Sequence, residues 1–154
     1  MMNSSFFRKG LFVTALFMAV PVFSPRAKAA TAYQNQLLRL HNAEREKRNL
    51  PRLRFHGALN RAASRYARLM DSTDHFDHTG PDGSTFDQRI LAAGGSGFTT
   101  MGENIAFGQR TPVEVTRAWM ASPGHRRNIL NRNFRLVGFG KAGGEPYWVT
   151  NFAG

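Results

Sequence analysis

Residues 136–152 read LVGFGKAGGEPYWVTNF, and this stretch decides the fold class. It alternates, it is rich in Val, Phe, Tyr and Trp, and it turns on Gly143-Gly144. Side chains of a strand point to its two faces in turn, and paired glycines supply the backbone freedom of a tight turn. The stretch therefore predicts a β-hairpin, with Tyr147 and Trp148 packing in the core or on a sheet face.

Upstream the period changes to that of helices. Leu37, Leu40 and Ala43, with Leu38 beside them, predict an amphipathic helix over 32–49, closed by Asn49-Leu50-Pro51. ALNRAASRYARLM, residues 58–70, predicts a second, with Ala58, Leu59, Ala62, Ala63, Tyr66, Leu69 and Met70 on one face and its arginines outside. DSTDHFDHTGPDGS, residues 71–84, is polar, broken by Gly and Pro, and reads as a loop. TFDQRILAA predicts a short third helix capped by Ser84 and stopped by Gly94-Gly95, while SGFTTMGENIAFG, residues 96–108, has no clear period and reads as irregular or short extended chain.

Thr111-Pro112 opens another helix, with Val113, Thr116 or Arg117, and Met120 at one-turn spacing. WMASPGHRRNIL, residues 119–130, then holds a built break: Ser122 is suited to cap a helix, Pro123 to be its first residue, and His125 falls one turn inside. Helices first and strands mostly later argue for an α+β domain with an antiparallel sheet, in one unit over 30–154.

The first 29 residues stand apart. Arg8 and Lys9 precede a largely apolar stretch, 11–23, and Ala27-Lys28-Ala29 supplies the small-x-small pattern of a cleavage site, so residues 1–29 read as a secretory signal peptide. Pro21 interrupts an apolar run already shorter than a membrane span needs, and no transmembrane segment is expected after cleavage. The chain has no cysteine, so an exported domain must stand on packing, or on packing plus a metal. Lys and Arg total 21 against 10 Asp and Glu; removing Arg8, Lys9, Arg26 and Lys28 leaves 17 against 10, a net +7, almost all of it arginine. Such a surface favours anionic envelope partners. The arginines are scattered, and the interleaved aromatic and basic stripe of a single-strand nucleic-acid binder is missing, so nucleic acid is not the expected partner.

Three groups sit at glycine-broken or polar turns where a side chain can project into a cleft: His78, Glu103 and His125. Two imidazoles and a carboxylate can bind a divalent metal with water completing the shell, and the carboxylate can either ligate or fix a ring by accepting its other N–H. The spacing is not diagnostic, and a hydrogen-bonded knot that ties loops together explains the same residues. His75-x-x-His78 is the one local pair with ligand-like spacing, interleaved with Asp74 and Asp77.

The motifs LLRLHNAERE (37–46), HTGPDGSTFDQR (78–89), GENIAFG (102–108), WMASPGHRRNIL (119–130) and the closing VGFG with YWVTNF stand in an order that resembles the CAP superfamily of cysteine-rich secretory proteins, in its short bacterial form. The resemblance implies an α-β-α sandwich with an antiparallel central sheet, and a cleft of two histidines and two acidic residues able in several members to take a metal such as zinc. His78, Glu103 and His125 match three of the four positions. Ser122 stands where the second acid would be, so the tetrad is incomplete. Ser122, Asp82 and Asn104 are expected around the cleft, Asp82 and Arg89 as braces of the His78 loop, and His41-Asn42 as a packing and hydrogen-bonding pair. The functional expectation is a periplasmic or extracellular binding module, a monomer, for a lipid, sterol-like or cell-envelope ligand. The competing expectation is a metal-dependent hydrolase with Glu103 as base.

Overall fold

The computed structural model describes residues 30–154, and the expected signal peptide lies outside the described residues. The chain runs α1 (Ala32–Glu46), β1 (Arg54–Phe55), α2 (Gly57–Thr73), α3 (Phe86–Ala92), β2 (Met101–Phe107), α4 (Pro112–Ala121), α5 (Pro123–Ile129), β3 (Leu136–Ala142) and β4 (Tyr147–Ala153). The expected hairpin is β3–β4, with Ala142 opposite Tyr147 and Gly143 at φ 85° in the turn. Its alternation sorts the core. Trp148 and Phe152 pack with Leu37, Val115, Trp119 and Ile129 on one side, while Tyr147 and Val149 pack with Ala63, Tyr66 and Met70 on the other. All seven residues of β4 are buried. A sheet buried on both faces needs helices on both, and the expected α-β-α sandwich is the result.

The sheet order is β1-β3-β4-β2. β4 lies antiparallel to both β3 and β2, but the two residues of β1 join β3 in parallel, so the sheet is mixed. β2 takes the extended alternative: within 96–108, read as irregular or short extended chain, Met101–Phe107 forms a seven-residue edge strand. Its period is hidden because both faces are covered, and Gly102, Glu103, Asn104, Ile105 and Ala106 are all buried regardless of polarity.

Burial also overrides the expected helix faces. α1 buries Gln34, Leu37, His41, Asn42 and Arg45, whereas Ala43 is exposed. α4 buries Val115, Thr116 and Trp119, and Val113 is 40% exposed. α2 keeps the expected face, with Ala67 added, and continues to Thr73. The cap of α3 is Thr85, one residue after the expected Ser84, in a capping box with Gln88. Ser122 does occupy the N-cap of α5 with extended backbone, yet its side chain makes no cap hydrogen bond.

The pair His41-Asn42 ties α1 into the fold. Asn42 bonds both main-chain groups of Leu53, Oδ1 accepting from N at 2.7 Å and Nδ2 donating to O at 3.1 Å. His41 Nδ1 donates to the Leu37 carbonyl at 2.9 Å, and its ring stands edge-on to Trp119 and Phe139. Burial, and secondarily the charge of Arg45, holds this imidazole down to about 4, against the Leu37 bond that favours its charged form. In the unfolded chain the reference value is about 6.5. Between these values the unfolded chain binds the proton and the folded one does not, so stability falls as pH drops through that window, by about 3 kcal/mol in total. His41→Leu is expected to flatten this part of the profile in denaturant titrations at neutral pH and at about pH 4.5. Equal slopes in parent and variant would show that His41 is not the titrating group.

Candidate functional site

β2 is an edge strand, opposite β1, and its pleat sends consecutive residues to opposite layers. Glu103 faces the α2–α3 layer. Its carboxylate, 1% exposed, takes His78 Nδ1 at 2.9 Å on Oε1 and Arg89 Nη2 at 3.2 and 3.1 Å on Oε1 and Oε2. With its amide nitrogen turned inward, Asn151 of β4 adds a donor to Oε2 at 3.2 Å and accepts from Ala63 N. A buried carboxylate must be paired and hydrogen-bonded, and here it is saturated.

Arg89, from α3, is the hub of this corner. Its guanidinium lies 3.4 Å over the Tyr66 ring, donates to the carbonyls of His78 (2.9 Å) and Ser84 (2.6 Å), and reaches Glu103. The expected brace of the His78 loop is therefore a guanidinium fork, which suits several acceptors at fixed angles. Asp82 takes no part in it: the side chain is exposed and accepts from Ser84 N at 3.0 Å within its own turn. The fully buried Arg45 stands apart from the scattered, exposed arginines of the surface.

Asn104 faces the other layer. Its Nδ2 donates to the His125 carbonyl at 3.0 Å, and its Oδ1 accepts from Asn128 Nδ2 at 2.8 Å. Asn128 also bonds the Glu103 carbonyl, and Trp119 Nε1 donates to the Ile105 carbonyl at 3.0 Å. The first turn of α5, and His125 with it, is thus bolted to β2 through amides. His125 and Ser122 line a cleft of about 420 Å³ with Trp119, Ala118, Ile105, Ala106, Gln109, Phe107 and Phe76.

The loop after α2 completes the site. Asp74 ends the helix in the left-handed conformation, φ 49°, and turns the chain back. His75 Nε2 bonds the Thr79 carbonyl at 2.8 Å and Tyr66 Oη the Asp77 carbonyl, so Phe76 and His78 are presented from a pinned segment. His75 is spent on that pinning.

The two site imidazoles are tuned oppositely. The hydrogen bond to Glu103 raises the His78 pKa against the effect of burial, whereas burial and then the charge of His78 lower that of His125. His125 is thereby favoured as the neutral ring. The three candidate ligands do not assemble into a three-ligand centre: among the described residues, no group of three or more His, Cys, Asp and Glu side chains is placed to hold one ion. The Glu103 carboxylate is taken up by Arg89 and His78.

The residues sequence reasoning passed over are Tyr66, Asn128, Asn151, Phe76, Phe107 and Gln109. Asn128, in the RRNIL turn three residues after His125, carried the one usable signal, a helical one-turn offset that puts its amide on the same face. The others are brought to the site by pairing of β2 with β4 and by the turn at Asp74, which have no local signature.

The sequence profile of the cysteine-rich secretory protein family, CAP, matches residues 38–152. The chain is 41% identical over 127 residues to the uncharacterized protein YkwD of Bacillus subtilis, covering 82% of this chain and 49% of that one. Its fold is similar to an extracellular SCP-domain protein of Bacillus anthracis, at TM-score 0.73 and 30% identity over 79% of this chain and 40% of that one. It is also similar to an outer surface protein of Borrelia burgdorferi, at TM-score 0.72 and 25% identity over 77% and 90%. The chain spans about half the length, or less, of the curated bacterial relatives it matches. With the match running from α1 to β4 and the sandwich and the hairpin in place, this chain, although it holds no cysteine, belongs to the cysteine-rich secretory protein family, CAP.

Proposed function

We propose that the chain is an exported binding module whose cleft, beside β2, takes a ligand of the cell envelope. The observation that carries this reading is the cleft itself: about 420 Å³, walled mainly by apolar residues, with His125 and Ser122 at one side. Ligand sites combine an apolar wall with a few placed polar groups in this way. The residue that a hydrolase would use as base, Glu103, is held by Arg89 and His78, which supports binding over hydrolysis. Similarity to an extracellular and to an outer surface protein supports export. Native mass spectrometry of protein from the exporting host tests both parts. The expected species begins at Ala30 and retains an envelope molecule; full-length cytoplasmic chain with nothing bound would overturn the reading.

A second reading, divalent metal, is favoured by one observation. His78 Nδ1 is engaged by Glu103, which leaves Nε2 as the nitrogen free for a ligand, and a carboxylate that fixes an imidazole in this way raises its basicity toward a metal. His78 and His125 would hold the ion and Glu103 would orient the first of them. Two imidazoles without a carboxylate give weak binding, so zinc is expected to raise the melting temperature only slightly, following RT ln(1 + [L]/Kd), and less as pH falls and the rings protonate, His78 first because the Glu103 bond raises its pKa. His78→Ala and His125→Ala should each remove the shift, and His75→Ala should keep it. Loss of the shift in His75→Ala alone would reassign the ligands.

A further inference from the structure

The cleft's outer wall is aromatic and turned to water. Phe76 is 50% exposed and Phe107 40%, and with Tyr147 they form one cluster, the centroids of Phe107 and Tyr147 4.6 Å apart and Phe76 6.3 Å from Phe107 and 6.4 Å from Tyr147. The cluster is rigid. Tyr147 Oη donates to Asp74 Oδ1 at 2.8 Å, so the residue that turns the chain after α2 also fixes the ring on which Phe107 rests. Leaving two large aromatic faces half open forgoes burial worth about 1.5–3 kcal/mol for such a side chain, and neighbouring exposed aromatics of this kind mark interaction sites.

Three observations narrow the occupant. First, the edge of β2 is closed to an added peptide strand, because the carbonyls of Glu103 and Ile105 are taken by Asn128 and Trp119, and strand addition needs those groups. Second, no lysine or arginine is among the lining residues, so the wall offers no fixed positive charge to a phosphate or acidic polymer. Third, the polar groups of the lining are hydroxyl partners: Ser122, the imidazole of His125, and the side-chain amide of Gln109, whose main-chain carbonyl is held by Trp148 Nε1 at 2.7 Å. A fatty chain or a sterol has few donors and needs enclosure, which half-exposed rings do not give. A β-linked pyranose has flat C–H faces to lay on phenyl rings and a rim of equatorial hydroxyls.

We propose that Phe76 and Phe107 form a stacking platform for a neutral β-linked glycan strand, with Gln109, Ser122 and His125 receiving its hydroxyls; this rests on the cleft being the ligand site. The test is isothermal titration of the intact domain, residues 30–154, with chitotetraose, in parallel with uptake of cholesterol and of phosphatidylcholine vesicles. Saturable chitotetraose binding is expected, with Kd of about 1 mM or tighter. Phe76→Ala and Phe107→Ala are each expected to weaken it by about tenfold, Phe107→Trp to preserve it, and Gln109→Met to weaken it by less, all with melting temperatures near the parent's because the rings are at the surface. Binding of cholesterol or vesicles but not chitotetraose, lost in the same Phe variants, would overturn the glycan assignment and leave the cleft as the site. Absence of every ligand would remove both. A parent dimer in light scattering that Phe107→Ala makes monomeric would reassign the platform to self-association.

Discussion

Alanine at Gly140 is expected to unfold most of the protein at ambient temperature, and alanine at Gly138 to do nearly the same. A Cβ on Gly140 would lie 2.1 Å from the Ala63 carbonyl oxygen and 2.3 Å from its carbon; one on Gly138 would lie 2.1 Å from Asn60 N and from Leu59 C. The obstacle in each case is helix backbone, which has no rotamer with which to yield. Both residues sit on the face of β3 that meets α2, alternating with Val137 and Phe139, which pack on the other side. The motif VGFG is thus a strand with a bulky face and a bare one, and the bare face lets the α2 backbone approach the sheet, where Asn60 Oδ1 accepts from Phe139 N at 2.8 Å. Moving α2 outward by the width of a methyl group would open the Ala63, Tyr66, Met70 and Val149 contacts along its length. Overpacking ordinarily costs about 1–3 kcal/mol, but that figure assumes side chains can shift. Here the expected cost is about 4 kcal/mol or more, in the range reserved for named defects and comparable with the total stability of a small domain. Urea titration of Gly140→Ala beside Gly144→Ala separates this from a loss of chain flexibility. Gly144 has nothing within 4 Å of its would-be Cβ, so its variant should stay near the parent. Equal stability of the two variants would mean that α2 does not approach β3 so closely.

How far the sequence discloses this fold depends on whether a segment's two faces differ in its own residues. β3 alternates because its glycines face α2 while Val137 and Phe139 take the other side, and α2 shows its stripe because Arg61, Arg65 and Arg68 are exposed opposite Leu59, Ala62 and Tyr66. β2 has no such contrast. Glu103 and Asn104 are buried at 5% and 0% exposure, each satisfied by partners more than 20 residues away in sequence, except Arg89 at 14. Local hydrophobicity is silent where polar groups are buried and paired.

The same reasoning sets what could be read of the site. His78, Glu103 and His125 were locatable because they sit at breaks, and the structure joins His78 to Glu103 directly and places His125 across β2 through Asn104 and Asn128. The role of Glu103 was not legible. It turns on Arg89, eleven residues after His78, whose reach is set by α3 packing against α2 and by the ring of Tyr66 beneath it. A carboxylate's availability is a property of its neighbours, and those neighbours come from four separate elements.

Arg45→Met is expected to cost about 3–5 kcal/mol, although methionine fills similar space and removes a buried charge. Arg45 lies in the last turn of α1 and is 0% exposed. No carboxylate pairs with it among the described residues; its donors go to four carbonyls, Nε to Pro51 at 2.7 Å, Nη1 to Ile129 at 2.8 Å and Asn131 at 2.9 Å, and Nη2 to Phe134 at 2.9 Å. Burial pushes the guanidinium down to about 10, which still leaves it charged at neutral pH. Two of the four carbonyls, Ile129 and Asn131, belong to the end of α5 and the residues just past it, where the helix has no internal donors and its dipole favours a cation. One side chain therefore closes the exit of α1, caps α5 and fixes the turn into β3. Removing the desolvated charge is a gain, but four carbonyls each lose a donor, two of them, Ile129 and Phe134, at buried bonds, at about 1–3 kcal/mol for each left unpaired where water cannot reach. The fork is needed as well as the charge: a lysine ammonium has three donors on a flexible stem and cannot span carbonyls lying around a planar guanidinium. Arg45→Lys is accordingly expected to recover less than half of the loss. The exposed Arg126 and Arg127 supply the control, since their exchange for Gln should change stability by less than about 0.5 kcal/mol each. Chemical denaturation of the Met, Lys and double-Gln variants orders them. If Arg45→Lys matched the parent, charge alone would be sufficient and the four-carbonyl fork would not be what holds α1 to α5.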